Sequence, residues 1–224
     1  MGIYTFAGSQ YAIVYRPGVF DREIIDEVVT NDTYRLWAWK LAPGSSVVDI
    51  GAHIGSFSVL CALKIPGAHI VSVEMDPGNY SLLSSNVARL AGIKALNVAC
   101  CGEVKPAGYR LGGTNSGGNR VCWQDAPGLQ KLPDCMTLSQ VLDAGGLKTV
   151  DLLKMDCEGA EHGILRLAAQ DGTLAKVRRI AAEYHAFFPG DSLASLQSLL
   201  VNSGYSTEVA PICPISGIIY AIRR

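Results

Sequence analysis

Residues 47–55 read Val47-Val48-Asp49-Ile50-Gly51-Ala52-His53-Ile54-Gly55: an apolar strand ending in an acid, a glycine-bearing loop, then a helix start. In a doubly wound α/β sheet, such a junction is the crevice where a nucleotide-like ligand lies across the strand ends. Gly51 lets the backbone turn tightly and approach a ligand that a Cβ would push away. The spacing is Asp-x-Gly-x-x-x-Gly and not Gly-x-Gly-x-x-Gly. The latter sets a helix N-terminus against a pyrophosphate. The former suits a ligand without phosphate that carries a sulfonium and an ammonium, for which Asp49 is an electrostatic match. Glu74 ends the next strand, where a carboxylate can accept both ribose hydroxyls. S-adenosylmethionine is therefore the expected cofactor. The rivals are a nicotinamide-dependent oxidoreductase and a non-catalytic protein that keeps a cofactor fold. The plainer reading makes Gly51 and Gly55 a tight turn with Asp49 as a cap. Asp76 reads as the N-cap of a helix begun by Pro77.

Outward from this loop, strands and helices alternate. Strands are expected at 46–50, 69–74, 95–99, 150–155, 177–183, 205–209 and 218–222. Helices are expected at 56–64, 77–91, 138–144, 160–169 and 192–202. That order implies one α/β domain of Rossmann-like type, with a mainly parallel seven-stranded sheet, an antiparallel edge pair and helices on both faces. Residues 1–40 read as a helical lead-in, with helices at 21–29 and 31–40 capped by Asp21 and Asn31. Residues 41–224 form the domain proper. Within it, 102–136 is rich in glycine and too poor in apolar residues for a helix, so it reads as a hairpin or irregular excursion beside the site.

Composition narrows the partners. The 224 residues are 49% apolar and 17% charged, with a net charge of −1; the mean hydropathy is +0.22. No run of Lys and Arg makes a phosphate-tracking stripe, so nucleic acid is not the expected partner. No apolar run reaches membrane-spanning length. Residues 1–15 show no leader pattern, and Phe6 stands where a myristoylation motif after Gly2 wants Ser or Thr. The seven cysteines show no metal-ligand spacing and read as reduced thiols of a cytoplasmic protein.

Two further strand ends carry acids. Asp151-Leu152-Leu153-Lys154-Met155-Asp156-Cys157-Glu158-Gly159-Ala160-Glu161 places Asp156 and Glu158 above the same crevice. Glu158 and Glu161 also suit a helix N-terminus. The next strand ends in Glu183-Tyr184-His185, with Glu183 and His185 on one side and Tyr184 on the other. His185, oriented by Glu183, is the first candidate for a general base, and Asp156 the second. A weaker alternative has Asp156, Glu183 and His185 hold a divalent cation, Mg²⁺ or with the histidine Mn²⁺ or Fe²⁺.

Taken together, the 48–55 loop, the Lys154-Met155-Asp156-Cys157-Glu158-Gly159-Ala160-Glu161 block and Glu183-Tyr184-His185 resemble the FkbM family of methyltransferases. Asn115-Ser116-Gly117 and Asp32-x-Tyr34 add to the likeness, which runs over roughly residues 20–224. It implies a class I methyltransferase fold with S-adenosylmethionine as donor. The acceptor it implies is a small molecule, usually a hydroxyl on a sugar or natural-product scaffold; an amine is the alternative. Asp49, Gly51, Ala52, His53, Gly55, Glu74, Met75, Ala99 and Asp156 would hold the cofactor. Asp156, Glu183 and His185 would do the chemistry, with Asn115, Ser116, Glu158 and Tyr184 at the acceptor. His53 departs from the family, which often has Asn there.

Overall fold

The computed structural model describes residues 2–6 and 9–224. Met1, Ala7 and Gly8, part of the stretch read for a leader, lie outside the described residues. The chain opens with an antiparallel hairpin, β1 (Gly2–Phe6) and β2 (Ser9–Ile13), then helices α1 (Asp21–Val29) and α2 (Leu36–Trp39). Strand and helix then alternate through β3 (Ser46–Ile50), α3 (Ser56–Lys64), β4 (His69–Val73), α4 (Pro77–Val87) and β5 (Ile93–Leu96). Four short strands follow, β6 (Ala99–Cys100), β7 (Gly108–Arg110), β8 (Arg120–Cys122) and β9 (Cys135–Met136). The remainder is α5 (Leu138–Gly145), β10 (Leu152–Met155), α6 (Glu161–Gln170), β11 (Arg179–His185), α7 (Leu193–Asn202), β12 (Tyr205–Cys213) and β13 (Ser216–Arg223).

The main sheet has seven strands in the order β12-β13-β11-β10-β3-β4-β5. β3, β4, β5, β10 and β11 run parallel, and β13 lies antiparallel between β11 and β12. A strand buried on both faces reads as a continuous apolar run, and alternate residues feed opposite layers. Val48 and Ile50 join a core with α5, α6 and α7, while Val47 joins one with α1, α3 and α4. The crossovers deliver every parallel strand with its C-terminal end at the same edge, so Ile50, Val73, Met155 and Glu183 all end near one crevice.

The lead-in differs from the helical expectation. It begins with the β1–β2 hairpin, and of the helix expected over 31–40 only α2 forms. Asp32, Arg35 and Lys40 have φ of 49°, 53° and 47°, which no helix tolerates. Instead, the Asp32 carboxylate accepts from the Leu36 and Trp37 N–H groups at 2.7 and 3.1 Å. Asp21, expected as an N-cap, is the first helical residue behind Phe20, and its carboxylate turns away from the helix. Asp76 does cap α4, accepting from Asn79 N at 2.8 Å. In the 102–136 stretch, β7 and β8 pair as a hairpin, and β6 pairs in parallel with β9. Among the described residues, no helix is long and apolar enough to cross a membrane.

A buried ion pair joins the two central strands. Asp49 on β3 is fully buried, and Lys154 on β10 faces it across the ladder, with Nζ 3.2 Å from Asp49 Oδ1. Ser58 Oγ donates to Asp49 Oδ2 at 2.7 Å. Burial favours loss of the lysine proton, but Asp49 and Asp156 outweigh it and hold the Lys154 pKa above its ordinary value. Removing one member of such a pair strands the other. Lys154→Met should therefore cost about 3–5 kcal/mol in urea unfolding, and adding Asp49→Asn should recover most of that loss. An equal or larger loss in the double variant would show that the pair is not the source.

Candidate active site

The crevice at the strand ends is a cleft of about 330 Å³. One end is built by the loop after β3. The Gly51 and Ala52 N–H groups donate to Val73 O at 3.0 and 2.9 Å. Gly51 has φ of 72°, and a Cβ there would come within 1.7 Å of the Asp156 carbonyl oxygen. The glycine is required because the end of β10 presses on the loop. Gly55, at φ 94°, starts α3 where a Cβ would strike Leu83. Lys154 Nζ donates to Gly51 O at 2.7 Å, clamping the loop from below.

Glu74 crosses the floor of this end. Its two oxygens accept from His53 N and Asp76 N, each at 2.8 Å. Burial pushes its pKa up to about 7 against those two hydrogen bonds. Ala52, His53, Met75 and Ala99 line the cleft beside it. Asn97 supports the same turn by donating to the Glu74 and Met75 carbonyls at 2.8 and 3.1 Å. Two buried polar atoms on lining residues, His53 Nδ1 and Ser56 Oγ, have no hydrogen-bond partner among the described residues. Buried polar atoms without a partner are costly, so this end of the cleft is built for a polar ligand. The residues present thus fit the hydroxyl-rich, phosphate-free nucleoside of S-adenosylmethionine.

Asp49 does not face the cofactor's positive end as the strand-loop pattern predicts: it lies below the loop, outside the cleft lining, neutralised by Lys154.

The glycine-rich segment is pinned over the cleft by a polar network that the local sequence does not reveal. Arg16 Nη2 donates to Asp21 Oδ1 at 2.8 Å and to Asn79 Oδ1 at 2.6 Å. Ser116 Oγ donates to the same Asp21 carboxylate, and His53 Nε2 lies 2.9 Å from Ser116 Oγ. Asn79 Nδ2 donates to Ser116 O at 2.9 Å. Burial alone would raise the Asp21 pKa, but the His53, Arg16 and Ser116 hydrogen bonds hold it well below the carboxylate range. Asn115 and Gly117 then line the cleft, whereas Ser116, expected at the acceptor, serves the network instead.

The other end of the cleft gathers carboxylates. Asp156, Glu158 and Glu183 line it together with Glu27 and Tyr34. Tyr34 OH donates to Asp156 Oδ2 at 2.9 Å. Glu161, fully buried, accepts from Cys157 N and Gly159 N at 2.8 and 3.0 Å. That ties the turn in which Glu158 takes φ 51°. His185 stands among them: Nδ1 is 3.3 Å from Glu161 Oε1, and Nε2 is 3.5 Å from Glu183 and 3.7 Å from Glu158.

His185 therefore does not fit the base role. Burial would strip its proton, but hydrogen bonds to Glu161 and Glu183 and the charge of Asp156 push its pKa up to about 11. His185 also lies outside the cleft lining. Glu158 has the opposite balance. Burial and the Asp156 charge outweigh the pull of His185 and raise its pKa to about 7. Glu183 is raised too, by burial first, against its His185 hydrogen bond. Tyr184 projects into the core on the other face, away from the acceptor position it was given. The metal alternative also changes membership: Asp156, Glu161 and His185 offer ligand atoms within 4.8 Å of one another, with Glu161 in place of Glu183. A cation there would compete with the His185 proton that faces Glu161.

Comparison with known proteins agrees with this architecture. A family model described as the methyltransferase FkbM domain matches residues 49–206. The 31-O-demethyl-FK506 methyltransferase FkbM of Streptomyces tacrolimicus is 26% identical, over 84% of this chain and 83% of its own length. The methyltransferase sdnD of Sordaria araneosa is 28% identical, over 88% of this chain and 85% of its own. Among solved structures, a precorrin-6y C5,15-methyltransferase from Geobacter metallireducens superimposes with a TM-score of 0.55. It is 14% identical over 96% of this chain and 94% of its own, a likeness of fold.

Two outcomes follow from this geometry. Glu74→Gln should weaken S-adenosylhomocysteine binding about 10- to 100-fold by calorimetry, since it removes a charge-assisted acceptor; unchanged affinity would detach Glu74 from the cofactor. The raised His185 pKa also links folding to pH. Its contribution to stability should be complete below pH 6.5 and decline as pH rises towards about 11. Urea unfolding across that range should show the decline in the wild type and a flatter profile in His185→Gln. Parallel profiles would argue against a buried cation.

Proposed function

The chain belongs to the FkbM family of S-adenosylmethionine-dependent methyltransferases, and on that premise we propose that it methylates a hydroxyl oxygen of a small acceptor, a sugar or natural-product scaffold. The observation that carries this reading is Glu158, a cleft-lining carboxylate whose pKa is raised to about 7. An amine needs no base as strong, whereas an alcohol must shed its proton as it attacks.

The bound cofactor supplies a methyl group on a sulfonium, an electrophile with a neutral thioether as leaving group. The chain supplies position and proton transfer. Glu74, His53 and Ala52 would hold the nucleoside, and Gly51 keeps the loop low enough for it. Glu158 would take the hydroxyl proton as the acceptor oxygen forms its bond to the methyl carbon. His185 stays protonated behind it, limiting the build-up of negative charge among Asp156, Glu161 and Glu183. Asp156, anchored by Tyr34, and Glu183 would orient the acceptor hydroxyl. Holding nucleophile and electrophile in line contributes much of the acceleration in such a displacement.

Three relationships support a small acceptor: the cleft is compact, one curated relative is named for a demethyl natural product, and the net charge is near zero. An amine acceptor remains the second reading, favoured by the surplus of carboxylates that would attract a cation.

The test is the pH–rate profile. With Glu158 as base, kcat should rise with pH to a plateau, with an apparent pKa at or below about 7. The positive charge of a bound sulfonium would lower that value. Glu158→Gln should lower kcat by about 10²–10⁴-fold and abolish the acid limb, with S-adenosylhomocysteine affinity retained. An acid limb that persists in Glu158→Gln would assign the base elsewhere.

A further inference from the structure

A second cavity, of about 280 Å³, lies on the far side of the turn that carries Glu158. Glu158 and Ala160 face the catalytic cleft, while Gly159 between them lines the second cavity. The turn Glu158-Gly159-Ala160 thus borders both spaces. Gly159 has φ of 100°, and Phe188 packs so closely that a Cβ would come within 2.9 Å of its ring. The aromatic rings continue away from the catalytic cluster. Phe187 lies 4.9 Å from His185, Phe188 follows, and Trp123 meets Phe188 edge to face at 4.5 Å.

The chemistry of this cavity is mixed in a particular way. Trp123 and Phe188 form apolar walls, and Gly102 and Gly163 leave the floor without side chains. At the rim, Arg166 and Asp191 approach to only 3.7 Å, too far for a hydrogen bond. His162 reaches Asp191 at the same distance. Arg166 is 56% exposed. Guanidinium donors and carboxylate acceptors are thus left to spare beside aromatic faces. An aliphatic ligand would use the walls and waste the rim. A ring with C–H faces and a girdle of hydroxyls uses both. An anionic ring would meet Asp191 and Glu103.

We propose that this cavity is an acceptor subsite for an uncharged hydroxylated ring of pyranose size, beside the turn that carries Glu158. This rests on the reading of the acceptor as a hydroxylated small molecule, and it adds which part of that molecule the protein recognises away from the reacting oxygen. Trp123 and Phe188 stack on the ring, and Arg166 and Asp191 bind its hydroxyls.

Saturation-transfer NMR with methyl α-D-glucopyranoside and methyl α-L-rhamnopyranoside tests this on the full chain saturated with S-adenosylhomocysteine. Cyclohexanol and phenol serve as controls. The expected result is transfer to at least one glycoside, weakened about tenfold by Arg166→Gln and by Trp123→Leu, with calorimetric affinity for S-adenosylhomocysteine unchanged. Arg166→Gln alters an exposed side chain, so its effect is not confounded by folding. Three results would overturn the proposal: no transfer to either glycoside; equal transfer to cyclohexanol, indifferent to Arg166→Gln; or transfer on the cofactor-free chain that saturation with S-adenosylhomocysteine abolishes. Failure of S-adenosylhomocysteine to bind at all would strike the cofactor reading instead, and the glycoside signal reports on the cavity independently of it.

Discussion

Much of this site depends on one buried cation. Lys154 emerges from a strand whose other residues are apolar and spends its charge on Asp49 and on the Gly51 carbonyl oxygen. It thereby ties β10 to β3 at the point where the cofactor loop leaves the sheet. The loop cannot rise without stranding the lysine in a region too dry to solvate it. The glycine at 51 answers the same constraint from above, because the Asp156 carbonyl occupies the space a Cβ would need.

Beyond that clamp, the site is governed by crowding of like charge. Three strand ends, of β4, β10 and β11, deliver Glu74, Asp156 with Glu158, and Glu183 to one edge of the sheet, which is what parallel topology does with strand-end acids. His185 and Lys154 oppose them nearby, and Arg16 acts on Glu74. The imidazole is the group held protonated, and burial raises the pKa values of Glu74, Glu158 and Glu183. Glu161 keeps its charge because the histidine and two backbone N–H groups hold it. Glu158 lacks such donors and sits in a strained left-handed turn. Neighbouring acids thus take separate roles from their surroundings.

The lead-in belongs to the same design. Asp21 and Arg16 reach across to Ser116, His53 and Asn79, joining the N-terminal segment, the cofactor loop, α4 and the glycine-rich segment through one carboxylate. Ile25 and Val28 of α1 pack in the core beneath. The roof over the cleft is therefore held by residues far apart in sequence.

What the sequence determined alone was the frame. Apolar runs of strand length, spaced by helical stretches and ended by acids, imply a parallel sheet with those acids at one edge, and the glycine spacing marks the loop that a phosphate-free nucleoside can approach. Glu74, Asp156, Glu158 and Glu183 were legible because strand ends are set by local pattern. The direction of each side chain's partnership was not. Asp49 reads as a ligand-facing acid until the ladder puts Lys154 beside it, a pairing fixed by the register of two strands about a hundred residues apart. Lys154 itself leaves a trace, a charge inside an apolar strand, but not the identity of its partner. His185 reads as a base from its pKa in water; its surroundings of Glu161, Glu183 and Asp156 come from three elements and reverse that reading. Asp21 reads as a cap because local rules know only the helix it begins. Protonation and pairing depend on through-space distance, and distance is what the tertiary structure decides.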